Sequence, residues 1–135
     1  GDGASYAGAV YVVFLAPSSH PTGQAVTKLS AAAGMPAGFS LGSLSYFGRS
    51  AAALGDLDGD GVSDMAVGAS SDNDGETGAG AVYLVFLTTD GAGRALTKLS
   101  NSGVLPSGLA LAAGESFGYA VASLGDVDGD GVVDL

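Results

Sequence analysis

Residues 54–64 read LGDLDGDGVSD, and residues 124–134 read LGDVDGDGVVD. Each stretch sets four aspartates within nine positions, around glycines: Asp56, Asp58, Asp60 and Asp64 in the first, Asp126, Asp128, Asp130 and Asp134 in the second. The chain is otherwise poor in charge, so these eight residues supply most of its 14 acids. Such crowding of like charge twice at one spacing needs a reason, and the residues around each copy show that it belongs to a longer repeat.

The segment GAVYVVFL (8–15) returns as GAVYLVFL (80–87), TKLS (27–30) as TKLS (97–100), and FG (47–48) as FG (117–118). The spacing changes once, because the loop APSSHPT (16–22) is longer than its counterpart TTDGA (88–92). The chain over residues 1–135 thus reads as two repeats of one unit, matching over 8–64 and 80–134, that start and end inside a unit. A repeat of this length is one supersecondary unit that cannot bury its own faces alone.

Within a unit the pattern is all β. AVYLVFL is apolar on both faces, as expected of a strand buried on both sides. ALTKLS alternates apolar and polar residues, as a half-exposed strand does. FGRSAAALGD and FGYAVASLGD are small-residue strands leading into the aspartate stretch, and DMAVGAS is the returning arm of a hairpin. SAAAGMPAGFSLG (30–42) has helix-forming alanines, but Gly34, Pro36 and Gly38 interrupt it. About four short strands per repeat predict an all-β fold, a β-propeller of four-stranded blades. Two blades are too few to close a ring. The expectation is that further blades come from the same parent chain or from other copies.

Counted from Asp56, the acids fall at positions 1, 3, 5 and 9, with Gly61 at position 6 and Val62 at position 7; Asp126, Asp128, Asp130, Gly131, Val132 and Asp134 repeat the set. Alternating carboxylates with a glycine at the sharp turn and a carbonyl at position 7 form a calcium-loop pattern. Asp56, Asp58, Asp60, Val62 and Asp64 are therefore the candidate ligands of one ion, and Asp126, Asp128, Asp130, Val132 and Asp134 those of a second. The plainer alternative is a solvated acidic turn, since Asp-Gly pairs turn readily; two copies at one spacing argue against it. An EF-hand would need a glutamate at position 12, where the first stretch has Val67, and a flanking helix at each end. Magnesium suits an all-protein oxygen cage less well than calcium. Two bound divalent ions would bring the formal charge from −10 to about −6.

FGRSAAALGDLDGDGVSDMAVGAS (47–70) and ESFGYAVASLGDVDGDGVVDL (115–135) resemble FG-GAP repeats, the blades of the integrin α-subunit propeller and its relatives, with GAS (68–70) in place of GAP. The resemblance implies that each aspartate loop joins the innermost strand of a blade to the next on one face of the propeller and holds a structural calcium ion. It implies that partners dock on the opposite face, here SSDNDGETGA (70–79), GDGASYA (1–7) and the loops around 31–45 and 101–115. The function expected is a non-enzymatic, calcium-stabilised propeller segment of a secreted or cell-surface protein, used in adhesion or protein recognition, with a protein or glycan ligand. The alternatives are a carbohydrate-binding propeller and a non-catalytic scaffold domain of a larger secreted enzyme.

Other features bound this expectation. Four Lys and Arg against 14 acids exclude the basic footprint that nucleic acid requires. With no cysteine there is neither a disulfide nor a thiolate metal site. The longest apolar runs are too short for a transmembrane helix; no signal peptide is visible, and a preceding one stays open. His20 lacks the partners of a catalytic or zinc site and reads as a surface residue. Tyr46, Phe47, Phe117 and Tyr119 read as packing between blades, with sugar stacking the lesser alternative. Asp72, Asp74 and Glu76 read as a solvated loop, and Lys28 and Lys98 as decoration of an outer strand.

Overall fold

The computed structural model describes residues 5–135. Strands run over β1 (Val10–Leu15), β2 (Gly23–Leu29), β3 (Phe47–Gly55), β4 (Asp64–Ala69), β5 (Ala81–Leu87) and β6 (Gly93–Leu99). They form an antiparallel pair, β1-β2, and a four-stranded antiparallel meander in the order β3-β4-β5-β6. No helix is present among the described residues, and so none long and apolar enough to cross a membrane. The fold is all-β, one complete blade with part of another beside it, and the two sheets do not close a ring. Residues 1–4, part of the expected docking face, lie outside the described residues.

The β1-β2 hairpin repeats β5-β6 in detail. Tyr11 pairs with Lys28 as Tyr83 pairs with Lys98, and both hairpins slip register at the same place, between Phe14 and Leu15 and between Phe86 and Leu87. The meander is buried on both faces. Phe47, Val67, Tyr83, Val85 and Leu87 pack towards β1-β2, joined by Leu29, Val10 and Val12. On the other face, Leu54, Ala66 and Val82 pack with Leu84, Leu99, Phe117, Val121 and Val133. Phe39, Phe47 and Tyr83 meet edge to face, with centroids 5.5–5.7 Å apart, an arrangement that adds to burial alone.

One expectation holds for only one of the two equivalent strands. β5 is buried on both faces, but on β1 Tyr11, Val13 and Leu15 are exposed while Val10 and Val12 pack inward. A pattern apolar on both faces states only what a strand tolerates; the layer placed against each face decides burial. Likewise, FGYAVASLGD forms no strand. Residues 117–125 make only isolated bridges, Gly80 to Phe117 and Gly125 to Asp134, whereas β3 has β4 along its length.

The recurring FG step is where one unit hands over to the next. Phe47 N–H donates to Ala7 O at 2.8 Å, and Phe117 N–H to Ala79 O at 2.8 Å. The backbones approach so closely that a Cβ on Gly8 would lie 2.1 Å from Phe47 O, and one on Gly80 2.2 Å from Phe117 O. Both glycines also have positive φ, 92° and 86°, so glycine alone fits on both counts.

Candidate metal centre and the opposite face

The aspartate loop between β3 and β4 is built by its first residue. The Asp56 carboxylate accepts the N–H groups of Gly59 at 2.8 Å, Asp60 at 3.0 Å and Gly61 at 2.8 Å. This holds its pKa below the usual carboxylate value, the Gly61 bond contributing most. Asp60 Oδ1 accepts Val62 N–H at 2.8 Å. Gly59 and Gly61, with φ of 79° and 88°, supply the left-handed turns that let successive N–H groups point inward.

The second loop repeats these bonds. Asp126 accepts N–H from Gly129 at 2.7 Å, Asp130 at 3.0 Å and Gly131 at 2.9 Å, and Asp130 accepts from Val132 at 2.8 Å. In each loop the three leading aspartates bring one carboxylate oxygen apiece within 4.8 Å of one another: Asp56, Asp58 and Asp60, then Asp126, Asp128 and Asp130. A calcium ion about 2.4 Å from each ligand keeps any two of its oxygens within roughly 5 Å, so the donor set fits that ion.

The fourth aspartate of each set stands apart. Asp64, 1% exposed, accepts Leu57 N–H on Oδ2 at 2.9 Å and Leu87 N–H on Oδ1 at 3.0 Å. Asp134 accepts Val127 N–H at 2.8 Å. Neither joins the close-set oxygens of its loop.

The first loop also has a cationic neighbour. The Arg94 guanidinium, from β6, pairs with Asp58 and lies 2.9 Å from Asp60. Burial works to lower its pKa, but the charges of Asp58 and Asp60 outweigh that and raise it. Its counterpart in the preceding hairpin is Gln24, so nothing in the repeat pattern marked this residue.

At the opposite end of the blade, the loop between β4 and β5 is not simply solvated. Asp72 is 7% exposed. It accepts Tyr83 Oη–H at 2.8 Å, and Lys98 Nζ bridges it to Asp74 at 3.0 and 2.9 Å. Asp74 also accepts the hydroxyls of Ser100, at 2.6 Å, and Ser102. Those hydroxyls, Ser100 first, hold the Asp74 carboxyl down at about 2. Burial, then the charge of Asp72, pushes the Tyr83 phenol up. Lys98 is thus an internal counterion rather than decoration of an outer strand. Tyr83 and Lys98 form a cross-strand pair that repeats Tyr11 and Lys28 of the preceding hairpin.

The four aromatics divide. Phe47 is buried and Phe117 packs partly into the core, whereas Tyr46 and Tyr119 are 41% and 57% exposed; Tyr119 nevertheless packs between repeats, under the guanidinium of Arg49. His20 lies in an exposed loop, its ring beside Ser19 Oγ.

A four-stranded antiparallel meander with an acidic hairpin loop, beside a hairpin that repeats its outer two strands, defines a β-propeller blade and part of its neighbour. The FG-GAP repeat family model matches residues 47–85. The integrin alpha pat-2 protein of Caenorhabditis briggsae is 40% identical over 89 residues, which is 66% of this chain and 7% of that protein. Residues 47–85 are an FG-GAP repeat, and over 89 residues the chain is similar to an integrin α-subunit. It spans only a small fraction of the length of this relative.

Proposed function

We propose that the chain is a calcium-stabilised segment of an adhesion or recognition propeller in a secreted or cell-surface protein. The observation that carries this is the repetition of one carboxylate geometry in two loops, Asp56-Asp58-Asp60 and Asp126-Asp128-Asp130. Calcium would be held by these residues with the carbonyls of Val62 and Val132, and the final aspartates Asp64 and Asp134 would complete the set by drawing closer, through the lone pairs that their backbone hydrogen bonds leave free. Bound there, it would supply charge neutralisation and a cross-link within each hairpin. Its role is structural, and the chain is proposed to act by binding rather than by catalysis. The likeness to an integrin α-subunit supports the recognition role and an extracellular setting, where millimolar calcium saturates sites of modest affinity. The two repeats over 1–135 are proposed to sit among further blades of one propeller.

Isothermal titration and thermal unfolding of the chelator-treated chain test this. Two calcium ions bound per chain, with a rise in the unfolding midpoint that grows with calcium concentration, are expected. A midpoint indifferent to millimolar calcium would refute the structural role.

A further inference from the structure

Arg49 differs from the other cations with described ion pairs. Arg94 and Lys98 are each bound to two carboxylates, whereas Arg49 has no carboxylate within ion-pair distance among the described residues. This holds in a chain whose formal charge is −10. Its guanidinium lies over the Tyr119 ring, 4.4 Å from the centroid, and donates to Tyr119 Oη. The ring fixes the side chain while leaving the other donors of the fork unspent.

Around it is a cleft of about 190 Å³ lined by Tyr46, Arg49, Ser70, Ser71, Ser116 and Tyr119. It lies at the end of the blade away from the aspartate loops, where β3 begins and β4 ends. Two equivalent turns form its sides. Arg49 N–H donates to Tyr46 O at 3.0 Å, and Tyr119 N–H to Ser116 O at 2.9 Å, so Arg49 and Tyr119 hold the same position in successive repeats. Tyr46 and Ser116 both adopt positive φ, 54° and 56°. Non-glycine residues held there store strain, and such strain concentrates at binding sites. Tyr6 stands exposed beside Tyr46, with ring centroids 6.5 Å apart.

We infer that this cleft is a binding site for a carboxylate side chain, an aspartate or glutamate presented by a protein partner. The guanidinium fork matches a carboxylate in shape and charge, and the serine and tyrosine hydroxyls around it are further donors. The cleft is smaller than the 300–1,000 Å³ typical of small-molecule sites, a size that suits one side-chain terminus. Arginine and tyrosine are both enriched among the few residues that carry most protein–protein binding energy. Arg49 already takes one face of the Tyr119 ring, which disfavours use of that ring as a sugar-stacking platform. The inference rests on reading the chain as a recognition module, but not on the calcium ions.

The test is an NMR titration of the labelled, calcium-saturated chain with N-acetylglutamic acid α-amide, which carries one side-chain carboxylate. N-acetylglutamine amide serves as the neutral isostere and methyl glucuronide as a sugar carboxylate. Saturable shifts at the Arg49 side-chain N–H and at the Ser71 and Tyr119 amides are expected with the glutamate probe. At least fivefold weaker binding is expected for the neutral isostere. R49Q should abolish the response with the rest of the spectrum unchanged, and R49K should weaken it several-fold because it keeps charge but loses the fork. Equal response to the neutral isostere, an unaltered response in R49Q, or no saturable shift would each overturn the site. Tighter binding of the glucuronide than of the glutamate probe would overturn the protein source. Spectra recorded with and without calcium report separately on Gly61 and Gly131, so failure of the calcium reading is visible apart from failure of the cleft.

Discussion

The Asp64 carboxylate accepts the backbone N–H of Leu87 at 3.0 Å while its other oxygen accepts that of Leu57 at 2.9 Å. A buried aspartate at the end of the loop, the first residue of β4, thereby fastens the loop to the last residue of the neighbouring strand β5. Removing it strands two backbone donors, and each buried unsatisfied group costs about 1–3 kcal/mol. Asp64→Ala should therefore lower the unfolding free energy by about 2–4 kcal/mol. Urea unfolding in the presence of chelator checks this, since loss only in calcium would mean that Asp64 acts through the ion alone.

Arg94 sits against Asp58 and Asp60, so a cation entering the first loop meets a positive charge already there. Arg94→Gln, which installs the residue of the equivalent position 24, should tighten calcium at the first loop by about three- to tenfold at low salt. The gain should shrink as salt rises, and the second loop should be unaffected. Terbium luminescence titrations of the single variant and of the same variant with the second loop disabled by D126N/D128N would measure it. A weaker first site in the variant would mean that Arg94 orients the aspartates instead.

Acid should loosen the loop between β4 and β5. The Asp74 carboxyl is held at about 2 when folded, below the ordinary 3.8. The stability it lends is therefore fully present above about pH 4 and lost as pH falls through about 2. Solvent screening keeps its full size to about 1 kcal/mol. The difference in unfolding free energy between the parent chain and Asp74→Asn, followed from pH 6 to pH 2, should narrow over that window. A constant difference would show that Asp74 is not anchored by Ser100, Ser102 and Lys98.

Gly80→Ala should be among the most damaging single-methyl changes. Its Cβ would lie 2.2 Å from Phe117 O, and the residue has φ of 86°. A loss of about 2–4 kcal/mol is expected, against little change for Gly42→Ala, whose Cβ meets nothing within 4 Å and whose φ is not positive. Thermal unfolding midpoints of the two variants provide the comparison.

The hairpins were legible because their cues are local: alternating or continuous apolar runs, turn residues between them, and a repeat that states each cue twice. The aspartate loops were legible for the same reason. Asp56 bonds to Gly59, Asp60 and Gly61, so spacing alone dictates most of that geometry. The FG step was visible as a repeated pair, though its cause, backbone contact between Gly80 and Phe117, was not.

What escaped is non-local. Lys98 was assigned to the surface because its strand alternates, yet the 70–79 loop folds back and places Asp72 and Asp74 on its ammonium. Arg94 reaches Asp58 across the blade, and Arg49 meets Tyr119 from the next repeat. By itself, then, the sequence determined the all-β repeat, its hairpins and the internal hydrogen bonding of the acidic loops, since each depends on residues close along the chain. Only the tertiary structure decided which cation faces which aspartate, and which face of β1 stays open. Those outcomes depend on the register and stacking of separate sheets, which bring together side chains far apart in sequence.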